Sequence, residues 1–412
     1  MDNEIFTIQC EKMVYGGECL GRLPDGRAVF VPFTLPDEVV EVALVEDKPR
    51  YARAWPIRLI QKSPDRIEPR CIHFGECGGC QYQHIDYAKQ IEVKSAILKD
   101  QFQRIAKINA PPINPLVPSP DHWNYRNYIQ FHIGRNAEIG YIHADGKHLL
   151  PIKECYLPQP PINALWPQIS LDPAIDVTRL GIRIDTYENM MLILEGDEPA
   201  APPFSIDIPI SAVYTPPDAN LTVLAGDDHL AFNIKGRDFQ VSARSFFQVN
   251  TVMAEKMIGF LLENLDLQPN SNAIELFSGV GLFSAFIAPQ VAALTAIEIS
   301  GSACHDFAVN LDEFDNVSVY EAPVEDVVPS LTQEFDILVM DPPRAGLAPR
   351  VHDAIAQIKP KQIAYISCDP ATLARDINKI LKKGYKLISV TPFDLFPQTA
   401  HIETIVIMSR LK

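Results

Sequence analysis

Residues 362–377 read QIAYISCDPATLARDI. An apolar, β-prone run over 363–366 stops at the polar corner Ser367-Cys368-Asp369-Pro370, and Pro370 suits the first turn of a helix expected over 371–382. A strand that turns at its carboxyl end into a helix is the repeating unit of an open α/β sheet, where ligands and chemistry collect at those carboxyl ends. A lone cysteine is also among the residues most often buried as a small inert hydrophobe. What Cys368 does is therefore decided by the residues that the rest of the chain brings to it.

Upstream, helix and strand signals alternate. Helices are expected over 251–264, near 283–288 and over 302–311, and strands over 272–276, 293–297, 317–320 and 335–340. That is the pattern of a doubly wound parallel sheet. Its first turn is Phe277-Ser278-Gly279-Val280-Gly281-Leu282-Phe283, following the acidic Glu275, and its second strand ends in Glu298. Glycines let a backbone approach a ligand closely, and a carboxylate at the end of the second strand can accept both hydroxyls of a ribose. The third spaced glycine of the dinucleotide fingerprint is missing, so an adenosyl ligand without a pyrophosphate fits better. The fourth strand ends in Asp341-Pro342-Pro343-Arg344-Ala345-Gly346, which places a carboxylate and a guanidinium beside the same pocket. Strands over 387–395 and 403–408 are expected to add an antiparallel edge. Glu403 opens the second of them; alone it reads as a surface residue, and from that edge a carboxylate can reach the site.

The first sixty residues read differently. Short strands over 6–10, 28–33, 39–45 and 52–60 are separated by Gly16-Gly17, Pro24-Asp25-Gly26-Arg27 and Leu35-Pro36-Asp37, turn signals that suggest a small barrel. Barrels of the OB class bind oligonucleotides, although many small barrels do not. Next comes Cys71-x5-Cys77-x2-Cys80 with Gly75, Gly78 and Gly79 between the thiols, and a fourth candidate, Cys155, far downstream. Four thiolates satisfy a tetrahedral zinc or an iron–sulfur cluster, and spacing alone does not choose. The first gap of five residues is not the spacing usual in radical S-adenosylmethionine enzymes.

A helix expected over 86–106 carries Lys89, Lys94, Lys99 and Arg104, either a solvated face or a strip facing phosphates. Proline crowds 111–120, 158–173 and 199–217, as in connections and irregular surface. Between them, Trp123, Tyr125, Arg126, Tyr128, Phe131, His132 and Arg135 form an aromatic and basic concentration. Such residues pack as strand core or stack on unpaired bases.

The 412 residues are 47% hydrophobic and 21% charged, an ordinary soluble composition with room for two or three domains. No apolar run is long enough for a bilayer, and Met1-Asp2-Asn3-Glu4 lacks the character of a secretory signal. A cytoplasmic monomer without a membrane partner is expected, and its eight cysteines are expected as free thiols, metal ligands or a catalytic thiol. A formal net charge of −16 excludes a protein whose whole surface attracts nucleic acid. Any such partner must meet a local basic track.

Taken in order, Phe246-Phe247-Gln248-Val249-Asn250, Phe277-Ser278-Gly279-Val280-Gly281-Leu282-Phe283, Asp341-Pro342-Pro343-Arg344-Ala345-Gly346, Ser367-Cys368-Asp369-Pro370 with the helix after it, and His401-Ile402-Glu403-Thr404 resemble the RNA uracil-5-methyltransferase family. The resemblance covers essentially the whole chain and is nearest to the 23S ribosomal RNA branch; some archaeal transfer RNA enzymes have a similar layout. It implies a TRAM barrel over 1–61, a central mixed α+β domain over 62–245 that bears the cysteines, and a class I methyltransferase domain over 246–412. It implies S-adenosylmethionine at Gln248, Phe277, Gly279, Gly281, Leu282, Glu298 and Asp341, and a [4Fe–4S] cluster on Cys71, Cys77, Cys80 and Cys155. RNA is the implied partner and DNA is not expected. Cys368 is the implied nucleophile that adds to carbon 6 of uracil, and Glu403 the base that removes the proton from carbon 5.

The chemistry needs such groups, because carbon 5 of uracil is too weak a nucleophile to take a methyl group unaided. The helix that follows Cys368 and a nearby positive charge are expected to lower the thiol pKa. Arg344 is a candidate for that charge, or for holding phosphate or developing negative charge. Partial burial is expected to raise the pKa of Glu403. Two positions depart from the family. Leu282 stands where asparagine is frequent, and Ala322 or Pro323 falls where a polar adenine contact is frequent. The rivals are a transfer RNA uracil-5-methyltransferase, an RNA cytosine-5-methyltransferase, whose Pro-Cys pair is placed differently, and a non-catalytic RNA-binding scaffold.

Overall fold

The computed structural model describes residues 4–217 and 220–411, so the end positions 1 and 412 of the expected outer domains lie outside the described residues. Strands β1 (Ile5–Met13), β2 (Glu18–Arg22), β3 (Ala28–Pro32), β4 (Val39–Asp47) and β5 (Tyr51–Gln61) close into a barrel in the order β1-β2-β3-β5-β4. The period of two in the sequence becomes the inside of this barrel. Ile8 and Cys10, Val29 and Val31, Val40 and Val42, and Ala52 and Ala54 are buried together, while their neighbours along each strand face outward.

Helix α1 (Tyr87–Arg104) follows the cysteine loop. Lys94 corrects the expectation of a solvated or phosphate-facing lysine strip. It lies at the helical spacing of Ile97 and Leu98, is fully buried, donates from Nζ to the Phe396 carbonyl at 3.0 Å, and sits 5.9 Å from the centre of the Tyr82 ring. A buried ammonium ties this helix to the 396–402 segment.

Then come β6 (Tyr128–Ile133), β7 (Ile139–Ile142), the short β8 (Leu149–Pro151), α2 (Pro160–Leu165), β9 (Arg179–Ile184), β10 (Met190–Glu195), β11 (Ser211–Thr215) and β12 (Thr222–Ala225). Most of them form a mixed sheet that runs β12-β11-β10-β9-β6-β7, followed by the separate hairpin β13 (His229–Ile234) and β14 (Arg237–Ser242). Two proline-rich stretches are thus more regular than expected. Pro160 and Pro161 open α2, where a missing N–H costs nothing. Residues 211–215 carry no proline and pair in parallel with β10.

The C-terminal part alternates as expected: α3 (Thr251–Asn264), β15 (Asn272–Leu276), α4 (Ser284–Ile287), β16 (Ala293–Glu298), α5 (Gly301–Asn310), β17 (Val317–Glu321), α6 (Val324–Val327), β18 (Ile337–Met340), α7 (Pro349–Ile358), β19 (Gln362–Ser367), α8 (Pro370–Leu381), β20 (Tyr385–Phe393) and β21 (Glu403–Arg410). The sheet order is β17-β16-β15-β18-β19-β21-β20, parallel through β19 and antiparallel after it. All four residues of β18 are buried, as in a strand covered on both faces. Among the described residues no helix is long and apolar enough to cross a membrane.

The chain divides into two compact units: Met1–Asp100 with Tyr141–Cys155 and Phe396–Ile402, and Gln101–Gly140 with Tyr156–Leu395 and Glu403–Lys412. This partition differs from the three spans read from sequence. The cysteine loop groups with 141–155 because hydrogen bonds such as Ala144 N to Glu76 O at 2.7 Å and Gly78 N to Ile142 O at 3.0 Å knit them together, and with the barrel through the ring contacts Phe33–Phe74 and Trp55–His143. Segment 396–402 joins the same unit through Gln90, whose side chain donates to Gln398 Oε1 at 2.9 Å and accepts from Gln398 N at 2.9 Å.

Candidate active site

Sheet register builds this site. Leu276 pairs with Ile297 and with Met340, so Phe277, Glu298 and Asp341 all leave the sheet at the same carboxyl edge. Met340 pairs with Tyr365, and Cys368 follows three residues after the end of that pairing. Ser367 pairs with Thr404, so antiparallel geometry places Cys368 and Glu403, their next neighbours outward, at the same end of two adjacent strands. Two residues 35 positions apart thereby share one edge.

The glycine turn divides its labour. Phe277 adopts a left-handed φ of 62°, a sparsely populated conformation for a residue with a Cβ, and its N–H donates to Ile297 O at 2.9 Å. Gly279 (φ +54) has nothing within 4 Å of where a Cβ would point, so open space lies over it. Gly281 (φ +86) faces α5 instead: a Cβ there would come 2.4 Å from Leu311 and 2.9 Å from Phe307. Leu282 is buried. Gly281→Ala is therefore expected to destabilise the protein by about 1–3 kcal/mol through overpacking, visible as a lower melting temperature. Gly279→Ala, carrying only backbone strain of about 1 kcal/mol, is expected to appear mainly as weaker S-adenosylmethionine binding in calorimetry. Equal melting temperatures for the two variants would refute this division.

Glu298 is fixed by three backbone donors: Gly279 N to Oε2 at 2.8 Å, and Ile299 N and Ser300 N to Oε1 at 2.8 and 2.9 Å. A carboxylate has about four acceptor positions, so one on Oε2 is left for a ligand hydroxyl, where two ribose contacts were expected. Ser278 Oγ is buried with no hydrogen-bond partner among the described residues, and the Ile299 side chain, next to Glu298 in sequence, is exposed. Gln248 is buried, and its carbonyl accepts from Asn127 Nδ2 at 3.0 Å. An open cradle over Gly279, a carboxylate with one acceptor free and an orphaned hydroxyl fit a nucleoside.

Acidic groups crowd the edge. Burial holds Glu275 up at about 8 and Asp341 at about 7, with Asp341 and Glu298 adding to the effect on Glu275, whose carboxylate accepts from Ser284 Oγ. Glu403 is buried and pushed well above the carboxylate range, first by burial and then by Asp341, against the pull of Arg344. Such a cluster is suited to a cationic ligand, which restores the ionised forms.

Cys368 departs from expectation. Burial, then Glu403 and Asp341, push its thiol up to about 11, while the Arg344 guanidinium, which hydrogen-bonds the sulfur, pulls the other way. The helix N-terminus does not help, because Asp369 caps it. Its Oδ1 accepts from Ala371 N at 3.0 Å and Thr372 N at 2.8 Å. Arg344 is thus placed to supply a positive charge beside the thiol.

Comparisons with known proteins identify the family. The family described as tRNA (Uracil-5-)-methyltransferase matches residues 226–411, and the TRAM domain matches residues 2–57. An uncharacterized RNA methyltransferase of Thermosynechococcus vestitus is 31% identical, over 98% of this chain and 97% of its own length. One of Aquifex aeolicus is 33% identical, over 99% of each. The chain belongs to the RNA uracil-5-methyltransferase family. The fold agrees as well: the crystal structure of Pyrococcus abyssi tRNA (uracil-54, C5)-methyltransferase with S-adenosyl-L-homocysteine aligns at a TM-score of 0.75 and 23% identity, covering 98% of this chain and 100% of that one. The protein is thus an S-adenosylmethionine-dependent RNA methyltransferase with an N-terminal TRAM barrel and a class I methyltransferase sheet.

In this uracil-5-methyltransferase family member the aromatic and basic concentration divides. Phe131 and Tyr125 are buried and serve the core, while Tyr128 lies 4.9 Å beneath the Arg183 guanidinium. Sequence reasoning gave no weight to Phe246 and Arg244 as surface groups. Phe246 is 69% exposed and, with Arg244, Arg183, Tyr128 and Ser300, lines a cavity of about 760 Å³. An exposed phenylalanine directly before the buried Phe247 and Gln248 was a usable signal.

None of the four expected cluster cysteines is bonded in a disulfide. Burial first, and then the neighbouring Cys155, pushes up the thiols of both Cys71 and Cys77. Ile72 N donates to Glu154 Oε1 at 2.9 Å and Lys153 N to His73 Nε2 at 2.9 Å, which holds the segment ending in Cys155 against the loop that starts at Cys71. Gly79 N donates to Cys77 Sγ at 3.4 Å. Among the described residues no group of three or more His, Cys, Asp or Glu side chains has the arrangement of a metal site. The donor set, four soft thiols on two adjoining segments, nonetheless has the chemistry of an iron–sulfur or zinc site.

Proposed function

We propose that this enzyme methylates carbon 5 of a uridine in structured RNA, most specifically in 23S ribosomal RNA, with Cys368 as nucleophile and Glu403 as base. The observation that carries this reading is the register of β19 and β21, which sets a thiol and a buried carboxylate at one strand edge with Asp341 and Arg344 from the neighbouring strand. Cys368 Sγ adds to carbon 6, and the carbon 5–carbon 6 π pair moves into an enolate whose carbon 5 is nucleophilic. S-adenosylmethionine supplies the methyl group. Glu403 then takes the proton from carbon 5, and the sulfur–carbon 6 bond breaks to restore the pyrimidine and the thiolate. Arg344 favours the thiolate form. Gln248, Phe277, Gly279, Gly281, Leu282, Glu298 and Asp341 would hold the nucleoside and amino-acid parts of the cofactor, the turn by close backbone approach and Glu298 by its remaining acceptor position.

The uridine must leave its stack at a cost of a few kcal/mol. The TRAM barrel and the cavity walled by Phe246 and Arg244 offer aromatic and cationic contacts that offset it. On a chain of charge −16 such contacts are local, so RNA affinity is expected to fall steeply with salt. Test the reading with total RNA from a strain lacking the gene, labelled S-adenosylmethionine and nucleoside mapping. Label in 5-methyluridine at a 23S site supports it. Label in transfer RNA keeps the chemistry and changes the substrate; label in 5-methylcytidine, or in no nucleoside, overturns it.

Cys71, Cys77, Cys80 and Cys155 would hold a [4Fe–4S] cluster. Protein purified without oxygen is expected to be brown, with broad absorbance near ~400 nm and about four iron atoms per chain. A colourless protein with one zinc per chain would replace the cluster by a structural zinc.

A further inference from the structure

We propose that Asp376 is a positioning residue for the reaction: one buried carboxylate that fixes the loop carrying Asp341 and Arg344 against the corner carrying Cys368. The proposal rests on the assignment of Cys368 as nucleophile. Asp376 is fully buried two turns into α8, among Leu373, Ile377 and Ile380 on the apolar face of that helix. A bare carboxylate in such a place needs compensation. Its Oδ1 accepts from Arg375 Nε at 2.9 Å and lies 3.1 Å from His352 Nε2 on α7. Oδ2 accepts from Leu347 N at 2.8 Å, from Tyr365 Oη on β19 at 3.0 Å and from Arg375 Nη2 at 3.0 Å. These donors hold the carboxyl at about 2 despite its burial.

The partners come from the elements that meet at the site. Leu347 ends the loop that begins at Asp341, Tyr365 lies on the strand that ends in Ser367, and Asp376 lies on the helix that begins after Cys368. Two neighbours on α8 reinforce the grip: Thr372 Oγ1 donates to Arg344 O at 3.1 Å and Arg375 Nη2 to Ala345 O at 2.9 Å. The loop is pressed close. Gly346 has φ +72, and a Cβ there would stand 2.4 Å from Asp376 Oδ2 and 2.6 Å from Arg375 Nη2. With its backbone held at Arg344 O and Leu347 N, the loop presents the Arg344 guanidinium to the Cys368 sulfur. Without the carboxylate, five donor groups on four residues lose this acceptor, and the grip on the loop through Leu347 N is gone.

The test follows that guanidinium. The charged groups facing Cys368 are Glu403 from β21 and Asp341 and Arg344 from the loop, with Asp369 capping the helix on its own corner. Alkylation of Cys368 by iodoacetamide against pH, read by peptide mass spectrometry, reports the thiolate without any RNA. In Asp376→Asn the alkylation profile is expected to move to higher pH by at least one unit. The methylation kcat is expected to fall about 10- to 100-fold with KM for S-adenosylmethionine unchanged. Gly346→Ala pushes the same loop off the same carboxylate without removing charge and is expected to move the profile likewise. Should Asp376→Asn not fold, Gly346→Ala and Tyr365→Phe supply the readout. A wild-type alkylation profile in the folded variants, even with a lower melting temperature, would overturn the proposal and leave Asp376 a structural residue. Failure of the wild-type enzyme to methylate any RNA would count against the uridine assignment alone, because the alkylation readout does not depend on it.

Discussion

Cys368→Ala is expected to lower methyl transfer to uridine by at least about 10⁴-fold, the size of loss seen when a nucleophile is removed from a covalent mechanism. The half-buried thiol anchors no hydrophobic core, so the melting temperature and the affinity for S-adenosylmethionine should stay near those of the parent. Cys368→Ser should be nearly as inactive, since a hydroxyl ionises far less readily than a thiol. The pH behaviour adds a sign. The reactive form is the deprotonated one, and burial with two acidic neighbours pushes the thiol up to about 11, so at pH 7 only about one molecule in 10⁴ carries a thiolate. Alkylation of Cys368 in the isolated protein should therefore rise about tenfold per pH unit between 7 and 10. Arg344→Ala should slow it further. A plateau near neutrality would mean that the thiol is activated in the isolated protein after all.

Glu403→Gln is expected to separate the two halves of the reaction. Addition of sulfur and transfer of the methyl group do not need the base; removal of the carbon 5 proton does. Turnover should fall about 10²- to 10⁴-fold, while one equivalent of labelled methyl group accumulates in a protein–RNA adduct that survives denaturing electrophoresis. Absence of that adduct, with an intact nucleophile, would assign the proton to another group. The base form is the ionised one, and burial and Asp341 hold Glu403 protonated well above the usual carboxylate range while Arg344 opposes them. Parent activity should accordingly climb from neutral toward alkaline pH.

Fold and site differed in how far they could be read from the chain. Turn signals between short strands marked the barrel, and the alternation of helix and strand signals marked the sheet closely: the expected helix 251–264 and strand 272–276 coincide with α3 and β15. Chemistry-bearing residues at strand ends were visible because the corner motifs announce those ends. Lys94 and Asp376 were not, because a charged residue at the spacing of a buried stripe reads as an interruption until its partners, for Lys94 the distant carbonyl of Phe396, are known. Asp376 sits between Leu373 and Ile377, and that misfit was its one signal in the sequence. The thiol pKa was misjudged for a related reason. Asp369 was read as part of a polar corner, whereas its carboxylate consumes the helix N–H groups that were expected to stabilise sulfur.

The order of the sheet also bears on how the enzyme is made. β21 lies between β19 and β20 although the ribosome releases β20 first. While β20 and the 396–402 segment emerge, β19 keeps an open edge, and β20 rests only on the bridges of Val390 to Ile113 and Phe393 to Val117 until β21 arrives to pair with both strands. Nascent chains should thus pass through an interval in which Cys368 is already in place beside an uncapped strand, a hazard for edge-to-edge association. Delayed release of residues 403–410 from the ribosome would lengthen that interval, and chaperone demand should peak there.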